Sequence, residues 1–317
     1  MKRSGILRAT KITAWGLSLL SMVLIGGCTH PPPLKQQLAV PAYWTPEDPT
    51  GRALFQQLAV TGNGTGAGAG STGTGIVVIN GSHSAPEVPY NQAWADTFHE
   101  LAGAGVRALG YVDTGYLGID FGQSAHATRA TGPGAGASTS AAWIAQIEAD
   151  ADDWYALYGA SGLRGIFLDQ TAAVCGPDDA YVAMYRSIAE HIREAHPGAY
   201  VVMNPGRAMD RCYEPIADTF VTFEGPYAEY LTRKAPAWEA TAPADKFWHL
   251  VYGATDQASM TNAIALSKQR NAGYVYVTNG ILTPNGETHP WDGLPPRAYL
   301  SAELAAALNR DFPSVHA

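Results

Sequence analysis

Residues 164–170 read Arg-Gly-Ile-Phe-Leu-Asp-Gln, in which a glycine and three large apolar residues lead to an acidic residue. A short continuous apolar run is typical of a strand in a parallel sheet that is covered on both faces. Folds built from such sheets place their chemistry at the carboxyl ends of the strands. Asp169 is therefore the first candidate for a catalytic residue. The alternative is that its side chain only caps the segment that follows.

Seven other short apolar segments resemble this one, and most of them precede a segment with helical periodicity. They are predicted strands at residues 40–44, 76–80, 106–113, 199–204, 219–224, 247–252 and 273–279. No two are joined by a hairpin signal, and the alternation of strands with helices favours a parallel sheet. Eight units predict an α/β fold, a single-domain (β/α)₈ TIM barrel over residues 40–317. A doubly wound open sheet is the alternative, but the glycine-rich phosphate-binding sequences of that class are missing.

The first 27 residues have the features of a bacterial lipoprotein signal peptide. Four basic residues precede a short apolar core, which ends in Gly26-Gly27-Cys28. Cys28 is the expected lipidation site, and residues 28–39, with three prolines, are the expected tether. These features predict a protein anchored by lipid in the membrane of a bacterial cell envelope, facing the periplasm or the exterior. An uncleaved anchor with an incidental cysteine is the alternative.

The composition argues against several function classes. The formal charge is −8, and it falls to −12 without the four basic residues of the signal segment. An acidic chain without basic runs argues against a nucleic-acid partner. The histidines lack paired metal-ligand spacing, and no serine lies in a Gly-x-Ser-x-Gly sequence. We therefore expect neither a metal site nor a cofactor.

Two cysteines remain in the expected mature chain, Cys175 after the predicted fourth strand and Cys212 after the fifth. Export makes a disulfide chemically feasible, and loops on the same face of a barrel are close enough to be bridged. A Cys175–Cys212 disulfide is therefore one prediction, and two free buried thiols are the alternative.

Polar residues end most of the predicted strands, and a barrel would bring them to one mouth. They are Asn80, Asp113, Asp169, Asn204, Glu224 and Asn279, with Tyr43, Tyr111 and Tyr252 nearby. This set suits a carbohydrate, because rings stack on sugar faces, amides bind hydroxyl groups and two carboxyl groups can split a glycosidic bond. Asp113 and Asn204 each precede turn residues, so a purely structural role is the alternative for both.

Several separated segments resemble the spherulin-4 family, whose members include glycoside hydrolases of the Sph3 type. They are VPAYW (40–44), GYVDTGY (110–116), GIFLDQ (165–170), NPG (204–206) and FE (223–224). The resemblance implies a (β/α)₈ barrel that cleaves α-1,4 linkages within a galactosamine-containing exopolysaccharide. It also implies that Asp169 and Glu224 are the catalytic pair. Related families with this barrel are retaining, which would make Asp169 the nucleophile and Glu224 the general acid/base.

The chain departs from the family pattern at Gln170, where the family usually has a glutamate. If that glutamate is catalytic, this chain is a glycan-binding lipoprotein with impaired catalysis. If it only positions the sugar, Gln170 keeps most of its hydrogen bonds and the chain is an active hydrolase, which is the interpretation we favour. The substrate-binding residues would then be Tyr43, Asn80, Tyr111, Asp113, Gln170, Asn204, Tyr252 and Asn279.

Overall fold

Eight parallel strands close into a barrel in the computed structural model, which describes residues 35–62, 73–80, 86, 89–119, 139–283 and 287–309. The strands are β1 (Gln37–Ala42), β2 (Thr74–Ile79), β3 (Arg107–Asp113), β4 (Gly165–Asp169), β5 (Tyr200–Met203), β6 (Thr219–Pro226), β7 (Phe247–Tyr252) and β8 (Tyr274–Val277). Each strand pairs in parallel with the next one along the chain, and β8 closes the barrel on β1. The predicted (β/α)₈ barrel is confirmed.

An α-helix follows every strand except β5, after which the chain forms only a 3₁₀ turn at Arg211–Tyr213. The helices are α1 (Pro49–Gly62), α2 (Gln92–Gly103), α3 (Ser140–Tyr158), α4 (Ala180–Ala195), α5 (Tyr227–Thr232), α6 (Gln257–Gln269) and α7 (Arg297–Leu308). Local sequence explains where several of these helices begin. Asn91 and Thr139 cap α2 and α3 with their side-chain oxygens, and Asp256 with Ser259 forms a capping box for α6.

The structure differs from the prediction at several strand ends and in one helix. Strand β1 begins at Gln37 rather than at residue 40, so the last residues expected in the tether belong to the barrel. The preceding Gln36 is fully buried, and its amide donates to Ser267 Oγ at 2.8 Å and to Ala272 O at 2.7 Å, which holds this polar segment inside. Strand β6 continues to Pro226, and the short helix α5, absent from the prediction, follows it directly.

The predicted signal peptide, Cys28 and the tether up to residue 34 lie outside the described residues. In the part of the chain that the structure does describe, no helix is both long enough and apolar enough to cross a membrane.

Tight packing of α3 on β3 fixes one side of the barrel mouth. A Cβ atom on Gly110 would come within 2.5 Å of the Trp154 ring, so this position needs glycine for the helix to approach. Trp154 Nε1 then donates to Tyr111 O at 2.8 Å. Inside the barrel the rings of Phe167 and Trp248 meet edge to face, with centroids 5.7 Å apart. The helix packed outside the barrel and the rings packed inside it therefore hold β3 and β4 in place below the mouth.

Candidate active site

Three neighbouring strands bring Asp169, Asn204 and Glu224 together at the carboxyl end of the barrel. Asp169 ends β4, Asn204 directly follows β5, and Glu224 lies near the end of β6. The Asn204 amide nitrogen donates to Asp169 Oδ1 and to Glu224 Oε2, at 2.7 Å each. Because one nitrogen makes both bonds, the two acceptor oxygens are no more than twice 2.7 Å, or 5.4 Å, apart. Asn204 Oδ1 accepts from Gly206 N at 2.9 Å, which fixes the orientation of the amide.

The remaining oxygen of each carboxyl group has its own donor. The Tyr111 hydroxyl donates to Asp169 Oδ2 at 2.6 Å. The Trp291 indole nitrogen donates to Glu224 Oε1 at 3.0 Å. All four carboxyl oxygens therefore accept a hydrogen bond from a side chain, and these bonds hold the pair in one arrangement.

Burial, and then the charge of Glu224, raise the pKa of Asp169 to about 7. The hydrogen bond from Tyr111 and a backbone hydrogen bond from Gln170 act in the opposite direction. Two carboxyl groups this close bind their protons as a unit, so the pair retains one proton up to about neutral pH. A pair with one proton offers an acid and a base in the same site.

Tyr43 and Tyr111 form the wall beside Asp169. Their rings meet edge to face, with centroids 5.7 Å apart. Burial raises the pKa of both hydroxyl groups well above the usual value, and the charge of Asp169 adds to this effect. Both phenols therefore stay protonated at neutral pH, and Tyr111 keeps the proton that it donates to Asp169.

Asp113 and Tyr252 lie near the pair without bonding to it. Asp113 is opposite Asp169 in the pairing of β3 with β4. Its Oδ1 accepts from Gly115 N at 2.8 Å. Asp113 therefore shapes the turn after β3, the structural role given as its alternative, and it also lies at the mouth. Tyr252 ends β7 and meets the Trp291 ring edge to face, with centroids 6.1 Å apart.

Three further amide residues, Asn80, Gln170 and Asn279, follow barrel strands, and within the described residues their side chains make no hydrogen bond to either carboxyl group. Asn80 and Gln170 each bury a side-chain oxygen that has no partner in the described part of the chain. Gln170 has a φ of 52°, in the left-handed region that residues with a Cβ atom avoid. The Gln170 side chain thus takes no part in the bonding of the pair.

Two residues that complete the site, His289 and Trp291, are absent from the predicted set. Both lie between β8 and α7. Trp291 is 1% exposed although it lies in a loop, and the His289 ring stacks on Tyr43 with centroids 5.7 Å apart. The signal for them is the sequence His-Pro-Trp in a loop after a strand, on the face where (β/α)₈ barrels carry function.

A disulfide joins Cys175 and Cys212, with Cα atoms 6.1 Å apart. It connects the loop after β4 with the loop after β5, the two loops that begin beside Asp169 and Asn204. Asp210 reinforces this link, since its carboxylate accepts from Cys175 N at 3.1 Å. These three side chains cluster closely, but both sulfurs are committed to the disulfide and offer no thiolate to a metal.

The fold and the site define a class, a (β/α)₈ barrel with an amide-bridged pair of carboxyl groups at the carboxyl end of its strands. The chain belongs to the Spherulation-specific family 4, whose sequence model matches residues 37–301. The family prediction made from the short sequence segments is therefore confirmed.

Two known proteins illustrate the relationship. Spherulin-4 of Physarum polycephalum is 27% identical over 214 residues, which are 65% of this chain and 55% of that protein. The chain thus spans about half the length of the curated relative that it matches. The crystal structure of Aspergillus clavatus Sph3 in complex with GalNAc matches with a TM-score of 0.58 at 20% identity, covering 86% of this chain and 98% of that chain. This second likeness shows a shared fold.

Proposed function

We propose that the protein is an extracytoplasmic glycoside hydrolase that cleaves an amino-sugar polysaccharide within its chain. The Asp169–Asn204–Glu224 bridge at the barrel mouth carries this proposal, because two carboxyl groups that share one proton are the machinery of glycosidic cleavage. The GalNAc in the Aspergillus clavatus Sph3 structure supports an amino sugar as substrate. The finer form of the proposal, an α-1,4 linkage in a galactosamine-containing exopolysaccharide, rests on the family resemblance.

The spacing of the pair supports a retaining mechanism. Carboxyl groups are about 5–5.5 Å apart in retaining enzymes and about 6.5–9.5 Å apart in inverting ones. The limit of 5.4 Å set by the two 2.7 Å bonds of Asn204 agrees with the shorter range.

We assign the nucleophile to Asp169 and the general acid/base to Glu224. Asp169 accepts from Tyr111, Asn204 and a backbone N–H, all of which favour its charged form. The cleavage step needs Asp169 in this charged form and the one proton of the pair on the general acid. Glu224 then protonates the leaving oxygen while Asp169 attacks the anomeric carbon. In the second step Glu224 takes a proton from water, which displaces Asp169 and releases the sugar.

Hydrolysis of a galactosamine-containing exopolysaccharide tests the proposal, with new reducing ends as the readout. The wild type should release them, and Asp169→Asn and Glu224→Gln should each lose at least about 100-fold in kcat. The anomeric configuration of the first product, followed by NMR, should match that of the substrate. Equal activity in the three proteins would sink the assignment of the pair.

A glycan-binding protein with impaired catalysis is the second candidate, because Gln170 replaces the usual glutamate of the family. The side-chain hydrogen bonds of the pair do not involve Gln170, which favours the active enzyme. Polymer binding without new reducing ends, and no gain of activity in Gln170→Glu, would support the second candidate instead.

We also propose that the mature protein is anchored in the membrane of a bacterial cell envelope through lipid on Cys28, facing the periplasm or the exterior. The signal sequence supports this location, and the Cys175–Cys212 disulfide suits an exported protein. Cells expressing the full chain should incorporate labelled palmitate into it. A Cys28→Ala variant that retained the label would contradict the anchor.

A further inference from the structure

The chain forms an unusual left-handed turn directly after β3. Four consecutive residues, Gly115–Gly118, have φ values of 47°, 52°, 57° and 67°. The two in the middle, Tyr116 and Leu117, carry a Cβ atom, and left-handed runs of such residues are disfavoured because the Cβ approaches the next carbonyl oxygen. Strain of this kind persists only where the surrounding structure enforces it, and it clusters at functional sites.

The turn is tied to the strand end that carries Asp169. Thr114 N donates to Asp169 O at 3.0 Å, and Tyr116 N donates to Gln170 O at 2.9 Å. The Leu117 side chain is fully buried and anchors the turn from below. The backbone of Tyr116 is therefore fixed relative to the catalytic carboxyl group.

Tyr116 lies beside the carboxyl end of β4 through this backbone bond, and it is partly exposed. Burial raises the pKa of its hydroxyl, the charge of Asp169 adds to this rise, and the charge of Arg207 opposes it. Glu224 acts on the same hydroxyl. The charges of both carboxyl groups and of Arg207 therefore act at the Tyr116 hydroxyl.

Arg207 lies next to the segment that carries Glu224. It directly follows Gly206, whose carbonyl oxygen accepts from Glu224 N at 2.9 Å. The Arg207 side chain is exposed, and it makes no hydrogen bond or ion pair within the described residues. An exposed guanidinium beside a carboxyl pair keeps its five N–H groups available to a ligand.

We propose that Tyr116 and Arg207 are sugar-binding residues beside the Asp169–Glu224 pair, and that the left-handed turn holds Tyr116 there. This inference rests on the proposed function, since it takes the ligand to be a polysaccharide. The tyrosine ring packs on the apolar face of a sugar ring. The guanidinium donates to hydroxyl or acyl oxygens of the same or the next sugar unit.

Binding can be separated from cleavage by placing the variants on a Glu224→Gln background. The dissociation constant for a galactosamine-containing exopolysaccharide is measured by affinity gel electrophoresis, with and without chemical deacetylation of the polymer. Tyr116→Ala and Arg207→Gln should each weaken binding about tenfold or more. The matched variants Tyr155→Ala and Arg186→Gln, on the outer helices α3 and α4, should leave it unchanged.

Tyr116→Gly distinguishes a binding role from a structural one. Glycine adopts the left-handed conformation without strain, so the melting temperature should stay the same or rise while binding weakens. Unchanged binding in Tyr116→Gly and Arg207→Gln would overturn the inference. If the Glu224→Gln protein binds the polymer but the wild type releases no reducing ends, the proposed function fails. The dissociation constants of the Tyr116 and Arg207 variants still decide the inference. If the Glu224→Gln protein does not bind the polymer, both the inference and the proposed function are overturned.

Discussion

At the carboxyl pair, the chemical identity of each donor decides what it can do. The indole nitrogen of Trp291 and the amide nitrogen of Asn204 only donate, whereas the hydroxyl of Tyr111 both donates and accepts. Three of the four hydrogen bonds to the pair, from Asn204 and Trp291, therefore have a fixed direction. Only in the bond between Tyr111 and Asp169 can donor and acceptor exchange roles. The bond between Tyr111 and Asp169 is therefore the place where the network can adapt to a proton.

The pH dependence of kcat/KM should reflect the raised pKa of Asp169. The pair needs one proton for the general acid, and it loses that proton as pH rises through about 7, so kcat/KM should fall over this range. Tyr111→Phe removes a bond that lowers the pKa of Asp169, so the falling limb should move to higher pH. Rates measured from pH 4 to 9 check both statements. Tyr155→Phe is the control, and a limb that stays in place in Tyr111→Phe would contradict the assignment.

Loss of the Trp291 indole should impair catalysis more than folding. Trp291→Phe removes the hydrogen bond that orients Glu224, and a typical hydrogen bond contributes about 0.5–1.5 kcal/mol, so kcat should fall about 2- to 10-fold. Trp238→Phe loses a comparable bond to Met209 O and serves as the control for indole removal. Equal kcat values in Trp291→Phe and Trp238→Phe would show that the indole of Trp291 has no role in catalysis.

At the level of elements, the loops after β4 and β5 act as one unit because the Cys175–Cys212 disulfide and Asp210 join them. Strand β5 is followed by a 3₁₀ turn and not by an α-helix, and the cross-link ties the loop that contains this turn to the loop after β4. The segment it closes has a sequence separation of 37 residues.

Removing the cross-link should destabilise the fold. A loop of this length corresponds to about 4 kcal/mol of unfolding free energy when the effect is attributed to the unfolded chain. Urea unfolding of the wild type should therefore shift to lower midpoints on reduction. A Cys175→Ala/Cys212→Ala variant should unfold at the reduced midpoint with or without reductant, and a midpoint like that of the oxidised wild type would rule the contribution out.

At the scale of the whole molecule, Asp169 makes stability depend on pH. Its pKa in the folded state is about 7, above its value of about 4 in an unfolded chain, so the folded state binds the proton more tightly. The resulting stabilisation is present below about pH 4 and is lost as pH rises to about 7.

Asp169→Asn should remove this dependence, because asparagine has no proton to lose. We expect the variant to melt a few degrees above the wild type at pH 8, and the two melting temperatures to converge toward pH 4. Calorimetry at both pH values provides the measurement. The exposed Asp96→Asn on α2 is the matched control, and an equal difference at both pH values would refute the explanation.

Most of the barrel and part of the site are predictable from the sequence. Alternating apolar strands and helices imply the closed sheet, and closure places Asp169, Asn204 and Glu224 at one mouth. The bonds among them are not predictable, because they depend on strand register. Trp291 also escapes prediction, since its loop returns over the mouth through contacts with distant strands. The strained turn at Tyr116 has no local signal beyond its flanking glycines.

The single amide nitrogen between Asp169 and Glu224 makes the two carboxyl groups one thermodynamic unit. Neutralising either residue changes the bond that Asn204 makes to the other, so the energetic effects of Asp169→Asn and Glu224→Gln should not add. The double variant should lose less activity than the sum of the single losses, and its change in the free energy of unfolding should differ from the sum of the single changes. A mutational cycle through Asn204→Ala would measure how much of that coupling passes through the amide.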